Sequence, residues 1–199
     1  TAGELQPPFF DPTVPAYLNY GGVGAVIGHE ITHHFDDKGA QYDLNGNLVN
    51  WWSGTTRQRF STGAKCFVEQ YEAFVDAITG VRLNGTRTLG ENISDNGGLR
   101  MATLAMEANL RKKKGSKNRM QKLPGLERFT AQQAFFLSYA HMWCGHYRVK
   151  ARKMRIDHYA HLPGEYRINV PLSNLEQFSA AFQCPLGSKM NPRKKCRLW

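Results

Sequence analysis

Residues 28–37 read GHEITHHFDD, with three histidines and three acids in ten positions, and they close the apolar, glycine-rich stretch GGVGAVIGHEITHHF. A helix turns about 100° per residue, so His29 and His33, four apart, lie about 40° apart around its axis and project from one face. Two neutral imidazoles at that spacing can grip one zinc ion. Glu30 lies about 100° round from His29. It is badly placed as a third ligand and well placed to take a proton from an attacking water. The same ten residues could also be a polar helix surface carrying a histidine pair. A third ligand elsewhere in the chain decides between these readings.

An extended pattern with glycine at 36 and histidine at 39 is absent, since those positions hold Asp36 and Gly39. His34 points about 100° away from His33 and reads as a bystander. The better candidate is GENISDNGG, where Glu91 and Asp95 are four apart and share a helix face. Glu91 can complete a His/His/Glu set that leaves a fourth position for water. Asp95 can accept a hydrogen bond from the back of a ligand histidine and orient its ring. The alternative for both acids is a helix N-terminus that favours negative charge. Asp36 and Asp37 are further candidates to support the histidines.

The remaining pattern predicts a mainly α chain with a few short strands. Residues 1–20 are proline-rich and read as extended or turning. The spacing predicts a helix over 21–35 whose Ala25, Val26, Ile27, Ile31 and Phe35 cover a buried side, then a turn at Asn45-Gly46 between two short segments. Its D-x-N-x-N start lacks the glycine that a calcium loop needs at position six, where Leu48 stands. Helices are predicted over 55–78, 91–110 and 130–149, with EYRINVPL as a short extended piece. The last predicted helix is SNLEQFSAAF, capped by Ser173 or Asn174. No composition break marks a second domain, so residues 1–199 are taken as one.

The formal net charge of +10 is concentrated in three clusters: Arg111 to Lys122, Lys150 to Arg155, and Arg193 to Arg197. Such charge suits a polyanion or an acidic partner. Aromatics do not interleave with the first cluster as a base-stacking surface would require, so nucleic acid is not an expected partner. No apolar run approaches the ~20 residues of a membrane span. None of Cys66, Cys144, Cys184 and Cys196 forms a CxxC pair, and four cysteines permit three pairings. Asn84-Gly85-Thr86 and Asn92-Ile93-Ser94 are glycosylation sequons.

Taken with NYGGVGAVIGHEITHHFDDKGAQYDLNGNLVNWW, TLGENISDNGGLR and the ending CRLW, the chain resembles the catalytic C-terminal part of the neprilysin family of zinc metallopeptidases. The resemblance runs from LQPPFF to Trp199. It implies a thermolysin-like zincin (gluzincin) domain within a larger two-domain ectodomain. It implies one zinc ion on His29, His33 and Glu91, with Glu30 as general base and Asp95 as the catalytic-site aspartate. In HLPGEYR it implies His161 as stabiliser of the oxyanion and Arg167 as donor to a substrate carbonyl. The rival His158 lacks the spacing to Pro163 and Arg167, and His141 and His146 read as structural. Several relatives carry an aspartate two residues before the oxyanion histidine. Here that position is Tyr159, and the nearest acid is Asp157. The resemblance also implies a Cys66–Cys196 disulfide, with Cys144 and Cys184 pairing with an N-terminal part absent from this chain. Expected substrates are short peptides cut on the amino side of hydrophobic residues. The expected setting is extracellular, secreted or as the ectodomain of a type II membrane protein, with membrane contact only through an absent anchor. The alternative is a non-catalytic ectodomain module that binds a partner or polyanion through the basic clusters.

Overall fold

A computed structural model describes residues 2–112 and 122–198. A short helix α1 (Ala16–Asn19) runs through a π-type turn at Tyr20–Gly24 into α2 (Ala25–His33). Then follow α3 (Gly54–Glu72), α4 (Leu89–Lys112), α5 (Ala131–Met142), α6 (Val149–His158), α7 (Gly164–Asn174) and α8 (Glu176–Ala181). The predicted short strands reduce, among the described residues, to two antiparallel bridges, Tyr42 with Leu48 and Val75 with Arg82. The Asn45-Gly46 turn forms, with Gly46 at φ +78° and the Asp43 carboxylate accepting from the backbone N–H of Asn45 and Asn47.

Helix α4 is the central post. It buries ten of its residues and feeds both cores. Leu99, Ala102 and Met106 pack with Tyr17, Phe135, Phe136, Tyr139 and Leu172, while Ile93 packs with Phe67, Tyr71, Leu83, Ile156 and Val170 on the other side. Burying each of the larger side chains contributes on the order of 1.5–3 kcal/mol. Capping is local: Ser53 accepts from the Thr56 N–H at the start of α3, and Thr130 and Gln133 form a reciprocal capping box on α5.

Several predicted elements shift, each for a physical reason. The expected buried side of α2 holds only in part. Ala25 is buried as expected, but Ile27, Ile31 and Phe35 are exposed, and the helix also buries Gly28 and Thr32 against α4, where small residues permit a close crossing. The predicted 55–78 helix ends at Glu72, so Phe74, Val75 and Ile78 lie in the following loop. The predicted 130–149 helix stops at Met142, and a separate α6 follows that the apolar pattern did not announce, because its buried anchors are Arg152 and Ile156. The expected extended piece EYRINVPL is helical α7. Pro171 within it cannot donate to the Arg167 carbonyl one turn back, and the Tyr139 hydroxyl fills that vacancy at 2.7 Å. Ser173 and Asn174 belong to α7 rather than capping α8, which starts without a side-chain cap. Arg111 and Lys112 end α4, and residues 113–121 of the basic stretch lie outside the described residues.

Candidate metal centre

Helices α2 and α4 cross so closely that Gly28 and Gly98 touch backbone to backbone. A Cβ on Gly98 would stand 2.4 Å from the His29 backbone nitrogen. This crossing brings the two histidines of α2 against the first turns of α4. His29 Nε2 lies 3.0 Å from His33 Nε2 and 3.4 Å from Glu91 Oε2, and His33 Nε2 lies 3.6 Å from Glu91 Oε1. Among the described residues, His29, His33 and Glu91 form the one group of three or more such side chains close enough to hold a metal ion. Zinc bonded tetrahedrally at about 2.0–2.1 Å needs ligand atoms about 3.3 Å apart. The three separations bracket that value, so the residues fit the ion.

Behind the centre, each imidazole is held by a carboxylate. His29 Nδ1 meets Asp95 Oδ1 at 2.9 Å, and His33 Nδ1 meets Asp36 Oδ2 at 2.7 Å. Donation from both Nδ1 atoms leaves both Nε2 lone pairs aimed at the centre. Asp36 is itself buried, its other oxygen accepting from the backbone N–H of Lys38 and Gly39. Asp37 makes no described hydrogen bond to either histidine, and burial raises its carboxyl pKa.

Arg167 closes the inner wall. Its Nε donates to Asp95 Oδ2 and its Nη2 to Asp95 Oδ1, both at 2.7 Å, with Glu91 Oε2 3.5 Å away. Its guanidinium lies 4.0 Å above the Trp143 ring. Burial opposes the charge on Asp95, yet the Arg167 charge and hydrogen bonds hold its carboxyl below the ordinary value. The balance is the same at Glu91, where burial is outweighed by the His29 hydrogen bond and the His161 and Arg167 charges. Burial resists protonation of His29, but its bonds to Asp95 and Glu91 push its pKa up to about 9.

Glu30 and His34 face solvent on α2. His161, between α6 and α7, is half exposed and sets Nε2 3.2 Å from Glu91 Oε2. Asp157 is engaged by Lys153, and Tyr159 is exposed. His141, His146 and His158 are exposed and lie outside the metal-capable group. Two contributors carried no signal in the sequence: Trp143 under Arg167, and Tyr139 on its carbonyl. On an apolar helix such aromatics read as core. Cys66 and Cys196 are disulfide-bonded, while Cys144 and Cys184 are free. The Asn92 sequon is buried within α4, its amide donating to Thr88 Oγ1, whereas Asn84 is exposed.

A mostly helical fold with a His/His/Glu cluster backed by carboxylates defines a metallopeptidase-type scaffold. The chain belongs to peptidase family M13, whose model matches residues 1–198. It is 47% identical to neprilysin-21 of Caenorhabditis elegans and 48% identical to neprilysin of Oryctolagus cuniculus, over the whole of this chain and 26% of each relative. The structure resembles the Mycobacterium tuberculosis zinc metalloprotease ZMP1 solved with an inhibitor, at TM-score 0.88 and 38% identity, covering all of this chain and 30% of that one. The chain thus spans about a quarter of the length of the curated relatives it matches.

Proposed function

We propose that this chain is the metal-binding catalytic portion of a neprilysin-like zinc endopeptidase. The observation that carries the reading is the convergence of His29 Nε2, His33 Nε2 and a Glu91 oxygen on one point, with both histidine rings locked from behind. A zinc ion held by His29, His33 and Glu91 would supply Lewis acidity for the scissile carbonyl and for the attacking water. Glu30, exposed beside His29, takes the proton of that water and passes it to the leaving nitrogen. His161 donates toward the oxygen on which negative charge develops, where a preorganised donor is worth several kcal/mol. Arg167 has Nε and Nη2 committed to Asp95, so a substrate carbonyl would be met by Nη1. Asp95 thereby serves both the histidine and the arginine.

The resemblance supports short peptide substrates cut before hydrophobic residues. A disulfide closing the tail onto α3 fits an oxidising, extracellular setting. No helix among the described residues is long and apolar enough to cross a membrane. Metal analysis tests the ligand set. The purified protein should carry one zinc per chain, and Glu91→Ala should lose most of it. Full retention by the variant would show that Glu91 is not a ligand.

A further inference from the structure

His161 lacks the acidic neighbour that would ordinarily aim it. Position 159 is a tyrosine facing solvent, Asp157 is bound to Lys153, and the carboxylate described beside the imidazole is Glu91, itself one of the three groups of the metal centre. Its placement must therefore come from the backbone that carries it. That backbone leaves the C-terminus of α6, where the Arg155 carbonyl accepts from the Tyr159 N–H. The following carbonyls at a helix end have no partner within the helix. Arg87 reaches them from outside: Nη1 donates to the Asp157 carbonyl and Nη2 to the Ile156 carbonyl at 3.3 Å. A cation at that end is also favoured by the helix dipole.

Arg87 stands in the turn just ahead of α4, four residues before Glu91. Its own N–H is fixed by the Asn84 side chain at 2.8 Å. One guanidinium thus joins the start of the helix that carries Glu91 and Asp95 to the end of the helix from which His161 departs. Arg152 anchors the other face of α6 on the buried Asp76, and Asp76 also accepts from Tyr166 on α7, so the bracket around His161 is tied on both sides. The buried pair holds the helices together. Among the described hydrogen bonds, those of Arg87 link the exit of α6 to the turn that leads into Glu91.

We infer that Arg87 is a positioning residue for His161: by capping the C-terminus of α6 from the turn before α4, it sets the distance from the imidazole to the metal centre. The inference rests on the catalytic role proposed above for His161. Arg87 is exposed, so its replacement should leave the fold intact.

The test is a double-mutant cycle in the longest natural polypeptide that contains this chain, with zinc content checked for each variant. His161→Ala should lower kcat strongly. Arg87→Ala should lower kcat by about ten- to a hundred-fold with little change in KM, because a small misplacement of a reacting group costs that much. Arg87→Lys, which retains one donor, should recover part of the loss. In the His161→Ala background, Arg87→Ala should have no further effect. An equal loss in both backgrounds would mean that Arg87 does not act through His161. A neutral Arg87→Ala beside a damaging His161→Ala would overturn the inference while leaving the role of His161 standing. A neutral His161→Ala would instead remove the reading on which the inference depends.

Discussion

Asp95 uses both of its oxygens and has no slack. Oδ1 receives His29 Nδ1 and Arg167 Nη2, and Oδ2 receives Arg167 Nε. Asp95→Asn keeps the shape but removes the nearer of the two acids beside the buried Arg167 and weakens the acceptor behind His29. Partners of this kind typically govern metal affinity by 10–100-fold. We predict a loss of about that size in zinc affinity, read by competition with a chelator on protein whose circular dichroism is unchanged; an unaltered affinity would count against the role. At the same scale, the two sequons should behave differently. A glycan cannot reach buried Asn92 without opening α4, while Asn84 is exposed. Mass spectrometry of secreted protein should find carbohydrate at Asn84 and none at Asn92. The donor types and spacings at His29, His33, Glu91 and Asp95 were legible in the sequence because one helical turn repeats every four residues. The Arg167–Asp95 pairing was not, because it joins residues 72 apart through a fold that no local pattern encodes.

The crossing of α2 and α4 depends on glycine. A Cβ at Gly98 would meet the His29 backbone nitrogen at 2.4 Å and the Ala25 carbonyl oxygen at 2.7 Å, so Gly98→Ala must push the helices apart. We expect a cost of about 1–3 kcal/mol or more by thermal or urea unfolding. Zinc should be lost with it, because Glu91 moves away from the histidines. Wild-type stability and zinc content in this variant would contradict the packing. Asp76 ties elements in another way. Burial pushes its carboxyl pKa up, but hydrogen bonds from Arg152, Thr79 and Tyr166 outweigh it and hold the pKa well below the ordinary 3.8. A depressed folded pKa means that the stabilisation is full above the unfolded value. It is lost as the pH falls through that value toward the folded one. Asp76→Asn should therefore be less stable than wild type at neutral pH, and its stability should fall less steeply between about pH 5 and 2. Equal slopes would show that the pair does not couple folding to protons. The same pair explains why α6 escaped the sequence reading. A helix anchored by a buried arginine shows no apolar period. Helix α7 has the sequence pattern of an extended segment because its β-branched residues and Pro171 mimic a strand. Its stability comes instead from buried Tyr166 and Val170 and from the Tyr139 hydroxyl on the Arg167 carbonyl.

Across the whole molecule, the Cys66–Cys196 bond closes a loop of 130 residues and staples the tail to α3. Replacing both cysteines with serine should cost on the order of 2–5 kcal/mol in unfolding experiments, since the crosslink chiefly restrains the unfolded chain. An unchanged midpoint would argue that the tail is held by packing alone. Ile27 and Ile31 on the outer side of α2, and Phe35 just beyond its end, make an exposed apolar stripe, and Cys144 is exposed and free. The sequence pattern assigned that stripe to a buried face, because periodicity shows that a helix has an apolar side without showing what lies against it. The mostly helical class and the residues of the centre could be read from the chain. The exposure of Ile27, Ile31 and Phe35 could not, because it follows from how small residues let α4 approach. The central claim is that this cluster hydrolyses peptides with Glu30 moving the proton. It is tested most directly by Glu30→Gln in the longest natural polypeptide containing this chain, assayed on a short peptide with a hydrophobic residue after the scissile bond. The account predicts one zinc per chain, as in wild type, and hydrolysis abolished. Full zinc with wild-type turnover would contradict it.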